Sequence, residues 1–494
     1  MKKSIAWLLA LLAVLLACPA SAEEAVDTAG AVTQEMCRAA YWKEADPQDP
    51  AALLLTSEEI RQYNRVAVQS PGAYMFDLAA LAQEDYGITP ESRAERAKDA
   101  DVPLRPLYVE GSRINNRAYF APIKTAIQET GYPDGVRRSE MAVAVRYTAL
   151  LAAPTLDVIT TSAGSPHNRY QNSALTVNEP FVIRQTAVVN GVQFYFGYTT
   201  NMSGWVRAED LALFGSYERW LDEAGNFAEE AFRQDYEAWK AAWDFDLDDR
   251  DFLVVNQDKL LLETVRGDAD VSGVKLTLST ALRLVPTEEK PSQVGGRGTW
   301  HNYVAYLPTR DENGQCVEKM VLIPQHCNVS VGYLPYTQGN LLDVAFACLG
   351  NRYGWSGMLD AYDCSLYIRT IYRCFGFEMP RNTTCQQNVG ENAALQTVKL
   401  SGRTNAQKAQ YIAALPVGSV LYLNGHTMLY VGTVNGESYV ISALGSVIEP
   451  EGELEAQSEY SIVLNTLSCR RTNGKTWLHE LTTALVPNQP EKGA

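Results

Sequence analysis

Read for its apolar and polar positions, the 494-residue chain changes character several times. The run from Ile5 to Ala17 carries no charge. From about residue 23 to 140, stretches with helical spacing alternate with segments broken by proline and glycine, as at Pro71-Gly72 and between Pro103 and Pro106. Ser57 followed by Glu58 and Glu59 reads as a helix start, because a hydroxyl caps the first amides and early acids suit the positive end of the dipole. Such a region predicts a helical and irregular strap across other parts of the molecule.

Between about 141 and 216 the period falls to two. Met141 to Val145, Leu175 to Val177, Pro180 to Gln185, Gln193 to Tyr198 and Gly204 to Val206 are strand-like and are separated by turn residues such as Asn190-Gly191. This predicts a small barrel. A second strand-rich unit, 250–336, is carried by Phe252 to Val255, Val274 to Leu278 and Tyr303 to Leu307. The intervening 217–249 reads as an aromatic, acidic helical linker, whose Trp220, Phe227, Phe232, Tyr236, Trp239 and Trp243 are expected to pack against neighbours.

From 337 to 494 the order is helix, helix, then strands. Asn340 to Leu349 has helical spacing and Gly350 ends it. A second stripe runs through Leu366, Ile368, Ile371 and Tyr372, and three strand-like runs follow at 417–423, 426–432 and 438–442. The fold class expected is therefore α+β and multidomain, divided as 1–22, 23–140, 141–216, 217–249, 250–336 and 337–494.

Composition narrows the picture. The net charge of −16 argues against nucleic acid and anionic lipid, which need a basic footprint. Lys2 and Lys3, the apolar run and Ala20-Ser21-Ala22 have the layout of a secretory leader removed after Ala22, so export to the periplasm or beyond the cell is expected. A second possibility is lipoprotein-type processing at Cys18. The apolar run falls short of the roughly 20 residues that cross a bilayer, and no later segment does so. The eight later cysteines are sparse for a disulfide framework; Cys316 and Cys327 flank a short apolar segment and could pair, whereas Cys348 and Cys374 read as buried. With no C-x-x-C and no H-E-x-x-H, neither metal nor cofactor is expected, and nothing suggests more than a monomer.

The chemistry concentrates at Asp363-Cys364-Ser365. A loop punctuated by glycine and tryptophan precedes it and a helical stripe follows, which places Cys364 at a helix N-terminus. There the dipole and unpaired amides favour a thiolate and offer donors to an oxyanion. A free cysteine is most often a small buried hydrophobe, and only this context separates Cys364 from the rest. His426 opens a strand after Asn424-Gly425 and is the natural base; His167, His301, His326 and His479 lack that placement. A Cys–His pair moves the thiol proton to the leaving amine, and a third polar group should orient the ring.

RYGWSG, DCS, FGFEMPRNTTCQ, GHTMLYVG with YVIS, and NGKTWLHELTTA together resemble the NlpC/P60 cysteine peptidases. SALTVNEPFVI and GYTTNMSGWVRAEDL resemble a bacterial SH3-like domain. The resemblance implies a papain-like catalytic unit preceded by two SH3-like barrels, in a murein hydrolase that cleaves between γ-D-glutamate and a diamino acid in wall peptides. It implies Cys364 as nucleophile and His426 as base, with Tyr353, Asp363 and Ser365 holding the free amino end of L-Ala-γ-D-Glu. Two departures stand out. Ser442 occupies the place of the third His, Asn or Gln, and Ser356 and Leu366 replace glycines, which bears on rate and groove width. A wall-binding protein with a decayed hydrolase, and an amidase or acyltransferase on the same fold, remain as alternatives.

Overall fold

The computed structural model describes residues 32–46, 48–98, 105–265 and 267–488; the expected leader, with Lys2, Lys3 and Cys18, lies outside the described residues. The expected strap divides in two. Its first part carries helices Ala39–Ala45 and Ser57–Gln69. The cap of the second helix is Thr56, one residue before the expected Ser57, because Thr56 and Glu59 satisfy each other's backbone amides in a capping box. Its Ile60, Tyr63 and Ala67 lie on one buried face. The segment acts as a clasp on the C-terminal unit: Leu54 N–H donates to Tyr336 O at 2.9 Å, Lys43 pairs with Asp343 at 2.6 Å, and the Trp42 ring lies 5.2 Å from that of Tyr439. The second part forms strands as well as helices. Asp85–Ile88 pairs with Gly135–Arg138, and helix Asn116–Glu129 lends Phe120, Ile123 and Ile127 to the core of the next unit.

That unit is a seven-stranded antiparallel sheet, which includes strands unforeseen from the sequence at Thr148–Leu151 and Leu211–Leu213. It is not the closed barrel expected. Its end strands, Leu211–Leu213 and Gln171–Leu175, do not pair with each other. The 171–175 edge instead packs on the loop before Cys364. The second unit departs further, since its strands fall into several two- and three-stranded sheets around a core of Leu253, Leu276, Leu307 and Ile323. Pro286, Pro291 and Gly295-Gly296 interrupt its ladders. Cys316 and Cys327 are both free. They lie at the start of strand Cys316–Pro324 and beyond its end, a separation of roughly 25 Å or more at strand rise, so no bridge can form. The linker folds as helix Glu229–Trp243, with Trp220, Phe232, Tyr236 and Trp239 buried against the first sheet.

The C-terminal unit places helices Gln338–Phe346 and Cys364–Arg373 against a six-stranded antiparallel sheet. Three of its strands, Leu395–Lys399, Gln457–Thr466 and Thr483–Pro487, extend the expected three-strand meander. One continuous core joins Trp42 and Tyr63 of the clasp, Phe252 of the second unit, and Tyr372 and Ile441 of this one. Among the described residues no helix is long and apolar enough to cross a membrane.

Candidate active site

The helix bearing the thiol begins where Asp363 caps it. The Asp363 backbone is extended and its carboxylate accepts the Leu366 amide at 2.9 Å. The Cys364 and Ser365 amides, in the first turn, have no backbone acceptor and remain as donors. Residues 365–372 are all buried. Helix formation thus follows from the cap and from burial of an apolar face against the sheet. The opposite side sends Arg369 and Arg373 to Glu179 of the first unit, at 2.8 and 3.1 Å. Burial alone would raise the Glu179 pKa, but the two guanidiniums hold it down at about 2.

The preceding loop is left-handed at Ser356 (φ 51°), Gly357 (φ 85°), Leu359 (φ 62°) and Asp360 (φ 53°). Outside groups hold this strained path. Gln171 Nε2 donates to Ser356 O at 2.9 Å and Tyr147 Oη to Gly357 O at 2.9 Å, both from the first sheet unit. Ser356 N–H donates to Asp363 at 3.0 Å. Leu366 is buried and lies under the loop, where its Cδ2 would sit 3.2 Å from a Cβ at Gly357. Its bulk therefore supports the loop from beneath.

Asp363 is heavily engaged. Arg381 grips it at 2.7 and 3.2 Å, and Ser365 Oγ donates at 3.2 Å. Burial would lift its pKa, and Arg381 outweighs this and keeps it below the usual carboxylate range. Arg381 also donates to Ser173 Oγ of the first unit at 2.8 Å and to Ser365 Oγ at 3.0 Å. The Asp363 charge is therefore already compensated. Sequence reasoning passed over Arg381, Gln386, Tyr147 and Gln171. The one available signal for Arg381 was a lone cation set in the FEMPRN segment. Gln386, fully buried, donates to Ser365 O at 3.0 Å and ties the helix start to the following segment.

His426 enters through the hairpin in which Leu423 pairs with His426 across Asn424-Gly425, Gly425 taking φ 77°. Its ring packs edge-on to Trp477 at 5.1 Å, and Nε2 lies 3.1 Å from Ser442 Oγ, a direct contact between adjacent strands. That leaves Nδ1 for other work. Burial, assisted by Arg471, lowers the imidazole pKa to about 3, with Asp363 opposing. Cys364 is partly exposed. Packing around the sulfur and then the Asp363 charge push its pKa up to about 11, against hydrogen bonds from the Thr427 backbone and the Thr383 side chain. The Thr427 contact brings the strand of His426 to the sulfur. At rest both groups are neutral.

Beside the loop, the His167 ring lies 6.0 Å from Tyr353, 5.2 Å from Trp355 and 5.9 Å from Tyr460. Burial, and then the Asp363 charge, push the Tyr353 phenol well above its ordinary range. All six residues singled out from the sequence, Tyr353, Asp363, Cys364, Ser365, His426 and Ser442, thus meet in one region, joined there by the first sheet unit. Among the described residues no cluster of His, Cys, Asp or Glu could hold a metal ion.

Residues 350–485 match the model of the NlpC/P60 family. An NlpC/P60 endopeptidase from Photobacterium damselae subsp. piscicida has a similar fold, with a TM-score of 0.63 and 14% identity over 92% of this chain and 98% of that one. NlpC2 from Trichomonas vaginalis is 12% identical over 72% of this chain and all of its own, with a TM-score of 0.26. No curated protein matches the chain.

Proposed function

We propose that the protein is an exported cysteine endopeptidase of peptidoglycan stem peptides, cutting the bond between γ-D-glutamate and a diamino acid in peptides with a free amino-terminal L-Ala. The carrying observation is the thiol at a capped helix start with unpaired amides, beside an imidazole whose far nitrogen is tied to Ser442. The NlpC/P60 domain supports a peptidase acting on cell walls. The sequence outside the described residues supports export.

In this reading His426 Nδ1 takes the thiol proton as the sulfur attacks the γ-carbonyl, and Nε2–H donates to Ser442 Oγ. The Cys364 and Ser365 amides receive the oxyanion. The imidazolium proton passes to the departing amine, leaving a thioester. His426 then deprotonates water, which releases L-Ala-γ-D-Glu and restores the thiol. Because both groups rest neutral, the proton moves in step with attack. Tyr353, backed by the network of Asp363, Ser365 and Arg381, faces the amino-terminal half of the peptide, and the first sheet unit, SH3-like in sequence, walls that side.

Purified mature protein should release L-Ala-γ-D-Glu from a murein tripeptide and Cys364→Ala should not; equal inactivity of both would defeat the reading. A second reading, a wall-binding protein with a weakened hydrolase, is favoured by Ser442, which offers a neutral hydroxyl where the related proteins have a ring or an amide. Turnover set against binding separates the two: an active hydrolase releases L-Ala-γ-D-Glu only while Cys364 is present, whereas a weakened one binds the murein tripeptide equally well with and without Cys364→Ala and releases nothing.

A further inference from the structure

Arg169 lies in the turn that leads into the first sheet unit's edge strand Gln171–Leu175. Its guanidinium stacks on Trp355, 4.1 Å from the ring centre. Its Nε is buried without a hydrogen-bond partner. Among the described residues no carboxylate lies within ion-pair distance of it, and its terminal nitrogens make no hydrogen bond. Arg381, which also borders the site, is occupied by Asp363. Trp355 lies 5.2 Å from the His167 ring and His167 6.0 Å from that of Tyr353, so Arg169 stands on the Tyr353 side of the site. A planar cation held rigid by an aromatic face, with its outer fork free, is built to receive a carboxylate in two parallel hydrogen bonds.

Resting on the function proposed above, we propose that Arg169 is a specificity-determining residue that binds a free carboxylate of the substrate next to the scissile amide, so that the first sheet unit reads the substrate as well as walling the cleft. Two carboxylates have this chemistry: the α-carboxylate of the γ-linked D-glutamyl residue and that of the diamino acid. Amidation would abolish either as a partner.

The test uses the full mature chain, its Arg169→Gln variant and three peptides: L-Ala-γ-D-Glu-diamino acid with free carboxylates, the same amidated at the glutamyl α-carboxylate, and the same amidated on the diamino acid. Wild type should prefer the free peptide over one amide by about tenfold or more in kcat/KM, the scale of a hydrogen bond to a charged group. The amide that is disfavoured identifies the carboxylate. Arg169→Gln should erase that preference through KM, with kcat on the free peptide little changed, and Arg169→Lys should keep part of it. A fall in kcat shared by all three peptides would mean that the residue only props Trp355, and a preference unchanged by Arg169→Gln would equally overturn the proposal. Should no peptide be cleaved, the endopeptidase reading fails, and titration of Cys364→Ala with and without Arg169→Gln against the same peptides still decides whether Arg169 selects carboxylates.

Discussion

Cys364 and His426 are local in sequence terms but not in energetics. A turn, a cap and an apolar stripe within a dozen residues are enough to announce a helix start at Asp363-Cys364-Ser365, which is why that tripeptide could be read. Arg381 and Gln171 could not be read, because Gln171 reaches Ser356 and Arg381 reaches Ser173 across most of the intervening chain, and the fold of Arg381 back onto Asp363 leaves no periodic signal. Nor could the sequence tell that Asp363 would be neutralised from within. The resting neutrality of the pair has a pH consequence. His426, lowered from 6.5 to about 3 by burial, stays an unprotonated base well below neutrality. The rate, followed as kcat/KM on a murein tripeptide, should therefore hold from pH 7 to 5 and fall only as the pH nears 3. Stability behaves differently. Between the two pKa values the unfolded chain binds the proton that the folded chain refuses, so stability contributed by the neutral ring is present above 6.5 and drains as pH falls toward 3. Denaturant melts across that window should show a falling midpoint while the rate still holds.

Among elements, the loop before Cys364 shows most plainly how one unit shapes another. Gly357 has φ 85°, and a Cβ there would lie 2.6 Å from Ala174 Cβ and 2.8 Å from Tyr147 Oη. Gly357→Ala should cost about 1–3 kcal/mol from strain and overpacking and reduce kcat by displacing the helix start. Gly191→Ala, at φ 79° on a hairpin tip with open space around it, isolates the backbone part and should cost less and leave the rate intact; urea melts and turnover compare the two. Individual strands such as Val192–Tyr198 and Phe252–Val255 were legible because alternation is a local signal. Closure into barrels was not. It depends on whether the end strands meet, and here the 171–175 edge is covered by the loop before Cys364, far along the chain. Strands such as Leu211–Leu213 are too short to show a period at all.

At the scale of the whole molecule, the joint between the first sheet unit and the helix that begins at Cys364 is ionic and buried. Glu179, Arg369 and Arg373 form it, and the side chains of Glu179 and Arg369 are each 3% exposed. Glu179→Gln leaves two guanidiniums without their counter-charge and should destabilise the protein by about 3–5 kcal/mol, the cost of breaking a buried pair from one side. The sign with pH is opposite in origin to an exposed carboxylate's indifference. With its pKa depressed from 4.5 to about 2, Glu179 stabilises above 4.5 and loses this as pH falls toward 2. The variant should thus lack the wild type's extra acid sensitivity in that range, as differential scanning calorimetry would show. The sequence could announce separate strand-rich and helical stretches but not this joint, since a Glu in SALTVNEPFVI and two Arg in a helix are each unremarkable alone.

The clasp sets a schedule. Trp42 lies against Gly432, where even a Cβ would come within 2.9 Å of its ring, so the segment finds its seat only after a long stretch of later chain has been made. Contacts of such sequence separation form late, since the entropy of closing the intervening loop must be met first. The clasp therefore docks only after the strand of His426 has been made, and a chain cut short before that hairpin has neither His426 nor a seat for Trp42.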